Sequence, residues 1–397
     1  MSPLETFHDL WSLWLLCKGA MHHRFVSQDS PLFDRFDEGL SPNAPVTYVF
    51  GLRPWRSFFR VLLPGRKVVF LPRVLPRMEF EANWQHRILS DCRSEIVVWG
   101  IKFSPYLDRF VRDHGVKIWY VEDGFLRSVG LGQSRTPPFS LTTDSRAPHF
   151  DARNASDLEV LLNTFNFSGD GELLDRAARF RREMIRTGLS KYNHAKRVDI
   201  ETVYGVKTRR RVLVVGQVED DASILLGCAR RHTNRDAVMI AFSENPDSEI
   251  IYKPHPDVMH GYRKALSRMD RLSGKCVILE QDIPLDQSFE TVDHVYTITS
   301  QAGFEALMRG IPVTTLGCPF YSGWGLTDDR QPNPRRQRKL TLDELVAGVY
   351  LLYPKYFDPL EMREITAEEA LERLVSRRDF VEGANQHEDT ESNRKTG

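Results

Sequence analysis

Three carboxylates stand side by side in Val-Gly-Gln-Val-Glu-Asp-Asp-Ala-Ser, residues 215–223. They follow the apolar run 211–217, which reads as a buried strand. Neighbouring carboxylates repel one another and gain nothing from burial. Their gathering at a strand end points to nucleophilic or acid–base work. One of them has a structural use, because Asp220 or Asp221 suits the N-cap of a helix beginning at Ala222. That leaves Gln217, Glu219 and the other aspartate without one.

Four further clusters also fall at the ends of apolar runs. Glu122 and Asp123 close a run at residues 117–124, with Gly124 for a tight turn and Arg127 near enough to pair with one carboxylate. Lys253 and His255 flank Pro254 in Tyr-Lys-Pro-His-Pro-Asp-Val, where the prolines stiffen a turn suited to an anion such as phosphate. In residues 297–313 a strand ends at Ser300, a helix runs from Gln301 to Arg309, and Gly310 stops it. Ser300 is the expected N-cap, Gly303 would let a ligand approach the backbone, and Glu305 lies one turn in. The free N–H groups of such a helix start attract anions. Residues 317–329 read as a loop that exposes Tyr321 and Trp324 for use.

These clusters require elements that bring strand ends together. Apolar runs at 46–52, 67–72, 95–100 and 117–124 alternate with helix-compatible pieces, and the pattern restarts with runs at 211–217, 249–255, 276–281, 294–300 and 311–317. Such alternation predicts parallel sheets covered on both faces. Residues 155–205 read instead as an amphipathic helical connector, with Ser156 and Glu159 spaced as a capping box. The expected class is α/β, with two Rossmann-like doubly wound domains facing a central cleft where ligands meet the carboxyl ends of the strands. The divisions read as an N-terminal helical segment (1–44), an N-terminal domain (45–190), a C-terminal domain (191–345), C-terminal helices able to pack back on the first domain (346–380) and a disordered tail (381–397).

Composition narrows the function classes. The 397 residues carry 54 Lys+Arg against 54 Asp+Glu, so no global field favours nucleic acid. Five scattered cysteines without a C-x-x-C pair argue against a disulfide framework or zinc site and fit a reducing cytoplasm. The apolar run Leu10–Cys17 is too short to span a bilayer. It reads as a helix packed on the body, with Trp11 and Trp14 as interfacial candidates if it rests on a membrane. The expected location is cytoplasmic, with peripheral contact at the inner face of the cytoplasmic membrane. No P-loop, G-x-G-x-x-G or H-E-x-x-H motif occurs, and no Asp-x-Asp lies near the clusters. The expectation is therefore an enzyme without metal or other cofactor.

Six segments occur in order: Val-Glu-Asp-Gly-Phe-Leu-Arg-Ser-Val-Gly-Leu-Gly, Gly-Leu-Ser-Lys-Tyr-Asn, Gly-Gln-Val-Glu-Asp-Asp-Ala-Ser-Ile, Tyr-Lys-Pro-His-Pro-Asp-Val, residues 299–313, and residues 319–329. Together they resemble the KpsC/LipA-type capsule polysaccharide proteins, bacterial β-Kdo transferases, and the related modules of O-antigen enzymes. The resemblance implies a GT-B-like, retaining transferase that uses CMP-Kdo as donor and a Kdo-containing or lipid-linked glycan as acceptor. It would act in capsule or surface polysaccharide assembly, beside other assembly proteins. Family members with capsule roles carry two such modules in tandem, and this chain has length for one. Retention implies two inversions through a covalent intermediate. The Gln-Val-x-x-Asp pattern then makes Asp221 the expected nucleophile, with Asp220 as fallback, and Glu122 the acid/base. Lys253, His255, Ser300, Gln301 and Gly303 would meet CMP, Glu305 its ribose, and Gln217 and Glu219 the nucleophile or the sugar. Asp123, Arg127, Tyr321 and Trp324 are the acceptor-side candidates. Two rival readings are a nucleotide-sugar 2-epimerase of the same fold and a non-catalytic glycan-binding export component.

Overall fold

The computed structural model describes residues 40–380 apart from 53, 73–74, 102–103, 131–135, 192, 194, 196 and 273. The expected N-terminal helix up to residue 39 and the tail 381–397 lie outside the described residues. Two sheets form. The first holds β1 (Val46–Phe50), β2 (Lys67–Phe70), β3 (Glu95–Trp99), β4 (Lys117–Asp123), β5 (Ser140–Asp144), β12 (Pro354–Asp358) and β13 (Arg363–Glu364). Its order is β13-β12-β5-β4-β3-β1-β2, with β1 to β4 parallel and β5 antiparallel to β4. Every residue of β3 is buried, which is why its Glu-Ile-Val-Val-Trp reads as a run rather than an alternation.

The second sheet holds β6 (Arg211–Val215), β7 (Glu249–Lys253), β8 (Val277–Ile278), β9 (His294–Thr297), β10 (Val313–Thr315) and β11 (Asp328–Asp329). It is parallel throughout in the order β8-β7-β6-β9-β10-β11. This is the doubly wound dinucleotide-fold order, which reverses between its first and fourth strands, here β6 and β9. The loops after β6 and β9 therefore open a crevice between them.

The helices that matter for the site are α1 (Pro105–His114), α2 (Asp157–Thr164), α3 (Gly171–Thr187), α4 (Ala222–Gly227), α5 (Asn234–Glu244), α6 (Pro256–Met259), α7 (Gln301–Met308), α8 (Leu342–Val346) and α9 (residues 367–380). Ser156 caps α2 by accepting from the Glu159 amide at 3.1 Å. The expected capping box is only half formed. The Glu159 carboxylate turns away to Arg335 Nε (2.5 Å), Arg336 Nε (3.0 Å) and Asn333 Nδ2 (3.1 Å), because the buried Arg336 charge needs a partner.

The segment 346–380 departs from expectation. It is not simply helical: after a π-helical turn at Ala347–Leu352 it supplies β12 and β13 to the first sheet. Tyr356 pairs with Ser140 and Pro354 with Thr142. A five-residue strand opening on proline carries too little alternation to be read in advance. Helix α9 then lies along α3, where Arg176 grips Glu368 through two hydrogen bonds of 2.7 and 2.8 Å. One apolar cluster, from Phe125 and Leu162 through Phe180, Phe304 and Tyr350 to Leu374, runs from the first sheet's loops through the connector to α7. Among the described residues no helix is long and apolar enough to cross a membrane.

Candidate active site

A cavity of about 570 Å³ opens between the two sheets, a volume suited to a nucleotide-sized ligand. Residues from both halves line it: Glu122 and His149 from the first, Lys191 from the connector, Asp221, His255 and Glu305 from the second.

The three adjacent carboxylates go to three places. Glu219 is buried away from the cavity, where it accepts from the Asn234 amide (2.6 Å) and the Ser267 hydroxyl (2.5 Å). It thereby satisfies a free N–H at the start of α5 and complements that helix dipole. Asp220 is exposed and pairs with Arg263 at 2.6 Å. Only Asp221 of the three lines the cavity. It is also the N-cap of α4, accepting from the Ser223 amide at 2.9 Å.

Gln217 lines the cavity, but its amide is committed elsewhere. It accepts from the Thr299 amide (2.7 Å) and donates to the Thr299 hydroxyl (3.1 Å). The pair clasps the β6 loop to the β9 loop at the point where the strand order reverses. Neither Gln217 nor Glu219 is disposed to bind sugar, because Thr299 holds the Gln217 amide and Glu219 is buried outside the cavity lining.

The expected phosphate cluster is rearranged. Lys253 is buried, donates to the Ile283 carbonyl (2.7 Å) and lies 3.5 Å from Asp282. Burial pushes its ammonium below the ordinary lysine value, opposed by Asp282. Asp282 also contacts His260 Nε2 at 3.0 Å. The Lys253 charge is therefore balanced within the fold. His255 caps α6, its Nδ1 accepting from the Asp257 amide at 3.1 Å. That bond assigns the ring proton to Nε2. Burial lowers its pKa, so it stands as a neutral N–H donor rather than a cation.

Helix α7 begins as expected, with the Ser300 hydroxyl accepting from the Ala302 amide at 3.2 Å. Gln301 lines the cavity while its side-chain nitrogen donates across to the Phe125 carbonyl at 2.6 Å, tying the two halves together. Gly303 answers a protein neighbour: a Cβ there would lie 2.1 Å from the Tyr321 hydroxyl. Tyr321 donates that hydroxyl to the Ser300 carbonyl at 2.6 Å, and Trp324 donates to the Phe320 carbonyl at 2.9 Å. Both rings are fully buried, so the loop holds them as core and does not offer them to an acceptor. Glu305 is buried yet lines the cavity. Its Oε1 accepts from the Lys191 amide at 3.2 Å, while Oε2 has no hydrogen-bond partner. Burial pushes its pKa up to about 7, moderated by Arg309.

On the opposite wall, Glu122 passes over Gly100, where an added Cβ would sit 2.7 Å from Oε1. Asp123 pairs with Arg127 at 2.8 Å, as their spacing suggested. Arg127 is fully buried, which removes it from direct acceptor contact.

Residues 172–356 match the model of a family described as capsule polysaccharide biosynthesis protein. The lipopolysaccharide-processing protein LpsZ of Rhizobium meliloti is 44% identical over 316 residues, 79% of this chain and 70% of that protein. The chain belongs to the KpsC/LipA-type capsule polysaccharide family. Its relative LipA, a capsule polysaccharide modification protein of Neisseria meningitidis serogroup A, is 36% identical over 344 residues. The chain spans about half of LipA, 46% of its length, against 85% of its own. Two solved KpsC modules of Thermosulfurimonas dismutans share the architecture. The β-Kdo 2,4 transferase is 34% identical with a TM-score of 0.70, covering 82% of this chain and 97% of that one. The β-Kdo 2,7 transferase is 33% identical with a TM-score of 0.66, covering 83% and 98%. The family fold is thus the GT-B-like pair of domains that the resemblance implies, and the two domains facing a cleft are those the strand pattern predicts.

The sequence reading gave no role to Lys191, His149, Asp282 or Arg263, all of which line the cavity. Lys191 sits in the quoted Gly-Leu-Ser-Lys-Tyr-Asn segment, which was a usable signal. His149 had none, since a lone histidine in a loop is more often structural.

Proposed function

We propose that this protein is a retaining β-Kdo transferase that takes Kdo from CMP-Kdo and delivers it to a glycan or glycolipid in capsule or surface polysaccharide assembly. The observation that carries the reading is that one carboxylate of the adjacent three, Asp221, lines the same cavity as Glu122 from the opposite domain. The likeness to two KpsC β-Kdo transferase modules supports the substrate class.

In the first step the Asp221 carboxylate attacks the anomeric carbon. A carbon–oxygen bond to Asp221 forms, the bond to the CMP phosphate breaks, and CMP leaves with the electron pair. The neutral His255 Nε2–H and the positive dipole end of α7 meet the departing phosphate. In the second step Glu122 takes the proton of the acceptor hydroxyl, whose oxygen attacks the same carbon and displaces Asp221. Two inversions give net retention. The unpartnered Glu305 Oε2 suits a ribose hydroxyl. The reading uses no metal ion, and a cytoplasmic enzyme touching the inner membrane face fits a lipid-linked acceptor.

The test is incubation with CMP-Kdo, without acceptor, followed by intact-mass and peptide analysis. A Kdo-sized adduct on the peptide holding residues 217–223, and its build-up in Glu122→Gln with acceptor present, are the expected results. Transfer without any adduct and with Asp221→Asn fully active would sink the mechanism. CMP release absent with CMP-Kdo but product formed from UDP-sugars would sink the substrate assignment.

A further inference from the structure

Asp221 ends a chain of hydrogen bonds that leaves the β6 loop, crosses to the β9 loop and returns to the start of α4. The Gln217 side chain donates from Nε2 to the Thr299 hydroxyl at 3.1 Å. The Thr299 hydroxyl donates to the Ser223 hydroxyl at 3.3 Å, and Ser223 donates to Asp221 Oδ1 at 2.8 Å. The direction is fixed from both ends. An ionised carboxylate only accepts, so Ser223 uses its one proton on Asp221 and must accept from Thr299. Thr299 then has no proton left for Gln217. At the other end the Thr299 amide donates to Gln217 Oε1 at 2.7 Å, which leaves Nε2 as the group facing the Thr299 hydroxyl. Both ends give the same order, with every proton directed toward Asp221.

The surroundings hold each link. Asn234 grips the Gln217 backbone, accepting from its amide at 2.9 Å and donating to its carbonyl at 2.8 Å. The Thr299 methyl fills a slot between two glycines, where a Cβ on Gly317 would lie 2.7 Å from it and one on Gly227 3.1 Å. Threonine is stiff at χ1, and a confined methyl fixes where the hydroxyl points. Gln217 and Thr299 are both buried, which limits competition from water, and connected hydrogen bonds in such surroundings strengthen one another. The 3.3 Å link between the two hydroxyls is the longest. Contacts of this kind in active sites commonly tighten when substrate binds.

We infer that Thr299 and Ser223 are positioning residues for Asp221, forming with Gln217 a one-way chain that holds Oδ1 and presents Oδ2 to the anomeric carbon. The inference rests on the reading of Asp221 as nucleophile. The Ser223 amide alone holds the carboxylate oxygen from one side. The hydroxyl, fixed by Thr299, adds a second donor that limits the turn of the carboxylate plane. Attack needs that control, since a misplacement of about 1 Å can cost about 10²-fold in rate. The same bonds that clasp the two loops at the reversal of strand order thus set the nucleophile.

The test uses Thr299→Val, Thr299→Ser, Ser223→Ala and the double variant Thr299→Val/Ser223→Ala, each checked by thermal melting. Valine replaces the hydroxyl by a methyl of like size, whereas serine keeps the hydroxyl and loses the methyl. Thr299→Val and Ser223→Ala are expected to lower kcat for CMP-Kdo by about tenfold to a hundredfold, with KM within about threefold of wild type. Thr299→Ser should regain most of that loss. The double variant should be no slower than Ser223→Ala, because Thr299 acts through the Ser223 hydroxyl. A folded Thr299→Val protein with wild-type kcat overturns the inference, as do serine and valine variants that are equally slow, or losses that multiply in the double variant. Should Thr299→Val not fold, Ser223→Ala decides by the same kcat criterion, since Ser223 is half-buried in the first turn of α4 and alanine suits a helix there. A wild type that releases no CMP from CMP-Kdo defeats the transferase reading instead, and crystal structures of wild type and Thr299→Val then judge the chain. Ser223 turned away from the Asp221 carboxylate in the variant would uphold it, and both side chains unmoved would overturn it.

Discussion

Asp221 accepts two hydrogen bonds from Ser223 through a single oxygen: Oδ1 lies 2.9 Å from the Ser223 nitrogen and 2.8 Å from its hydroxyl. Among the described residues nothing hydrogen-bonds Oδ2. The helix cap therefore orients the carboxylate and leaves its second oxygen to the cavity. Capping and attack are two uses of one side chain.

This arrangement separates the two aspartates experimentally. Asp221→Asn keeps a good N-cap but loses the nucleophile, and CMP-Kdo turnover should fall by at least about 10³-fold. Asp220→Asn removes an exposed ion pair worth at most about 1 kcal/mol, and turnover should stay within about threefold. Stopped assays of CMP release decide it; the reverse ranking would move the nucleophile to Asp220.

Glu305 couples the cavity to pH. Its folded pKa of about 7 lies above its ordinary 4.5. Below 4.5 the carboxyl is protonated in both folded and unfolded chains, and its contribution is complete. Between there and about 7 the unfolded chain releases the proton while the folded one keeps it, so stability is lost as pH rises. The loss is on the order of 3 kcal/mol. Urea midpoints at pH values spanning this window should decline less in Glu305→Gln than in wild type. Parallel profiles would mean that Glu305 ionises normally.

Gly303 and Tyr321 should be energetically coupled. A methyl at Gly303 meets the Tyr321 hydroxyl, so Gly303→Ala should cost about 1–3 kcal/mol, the usual range for overpacking. Placed in a Tyr321→Phe background the same change should cost less, because the nearest atom is gone. Denaturant melts of the double-mutant cycle measure the coupling. Additive effects would mean that the ring does not confine Gly303.

Glu159 joins α2 to the Asn333–Arg336 loop through a buried charge cluster. Glu159→Gln strands Arg336, and the cost should be about 3–5 kcal/mol. The chemistry lies elsewhere, so the surviving folded fraction should turn over normally. A loss below about 1 kcal/mol in urea melts would show that solvent reaches Arg336.

Much of this was legible from residue order. Parallel strands buried on both faces announce themselves as apolar runs, and every run quoted for them contains a strand. The Ser300 cap was also readable, because capping is a local bond between residues two apart. Strand β12 was not readable, since its partner β5 lies more than 200 residues away, and the two-residue β13 pairs only with β12, so both depend on where the chain returns.

The sequence by itself determined which side chains gather at the strand ends, since strand period and loop position are local properties. Only the tertiary structure decided which of them faces the cavity. Glu219, Asp220 and Asp221 are neighbours in the chain, yet they face a helix start, an exposed arginine and the cleft in turn. Lys253 and Gln301 had the right chemistry, but Asp282, Ile283 and Phe125, distant in sequence, hold them first. Hydrogen-bonding capacity is finite, and long-range packing determines which partner each group reaches.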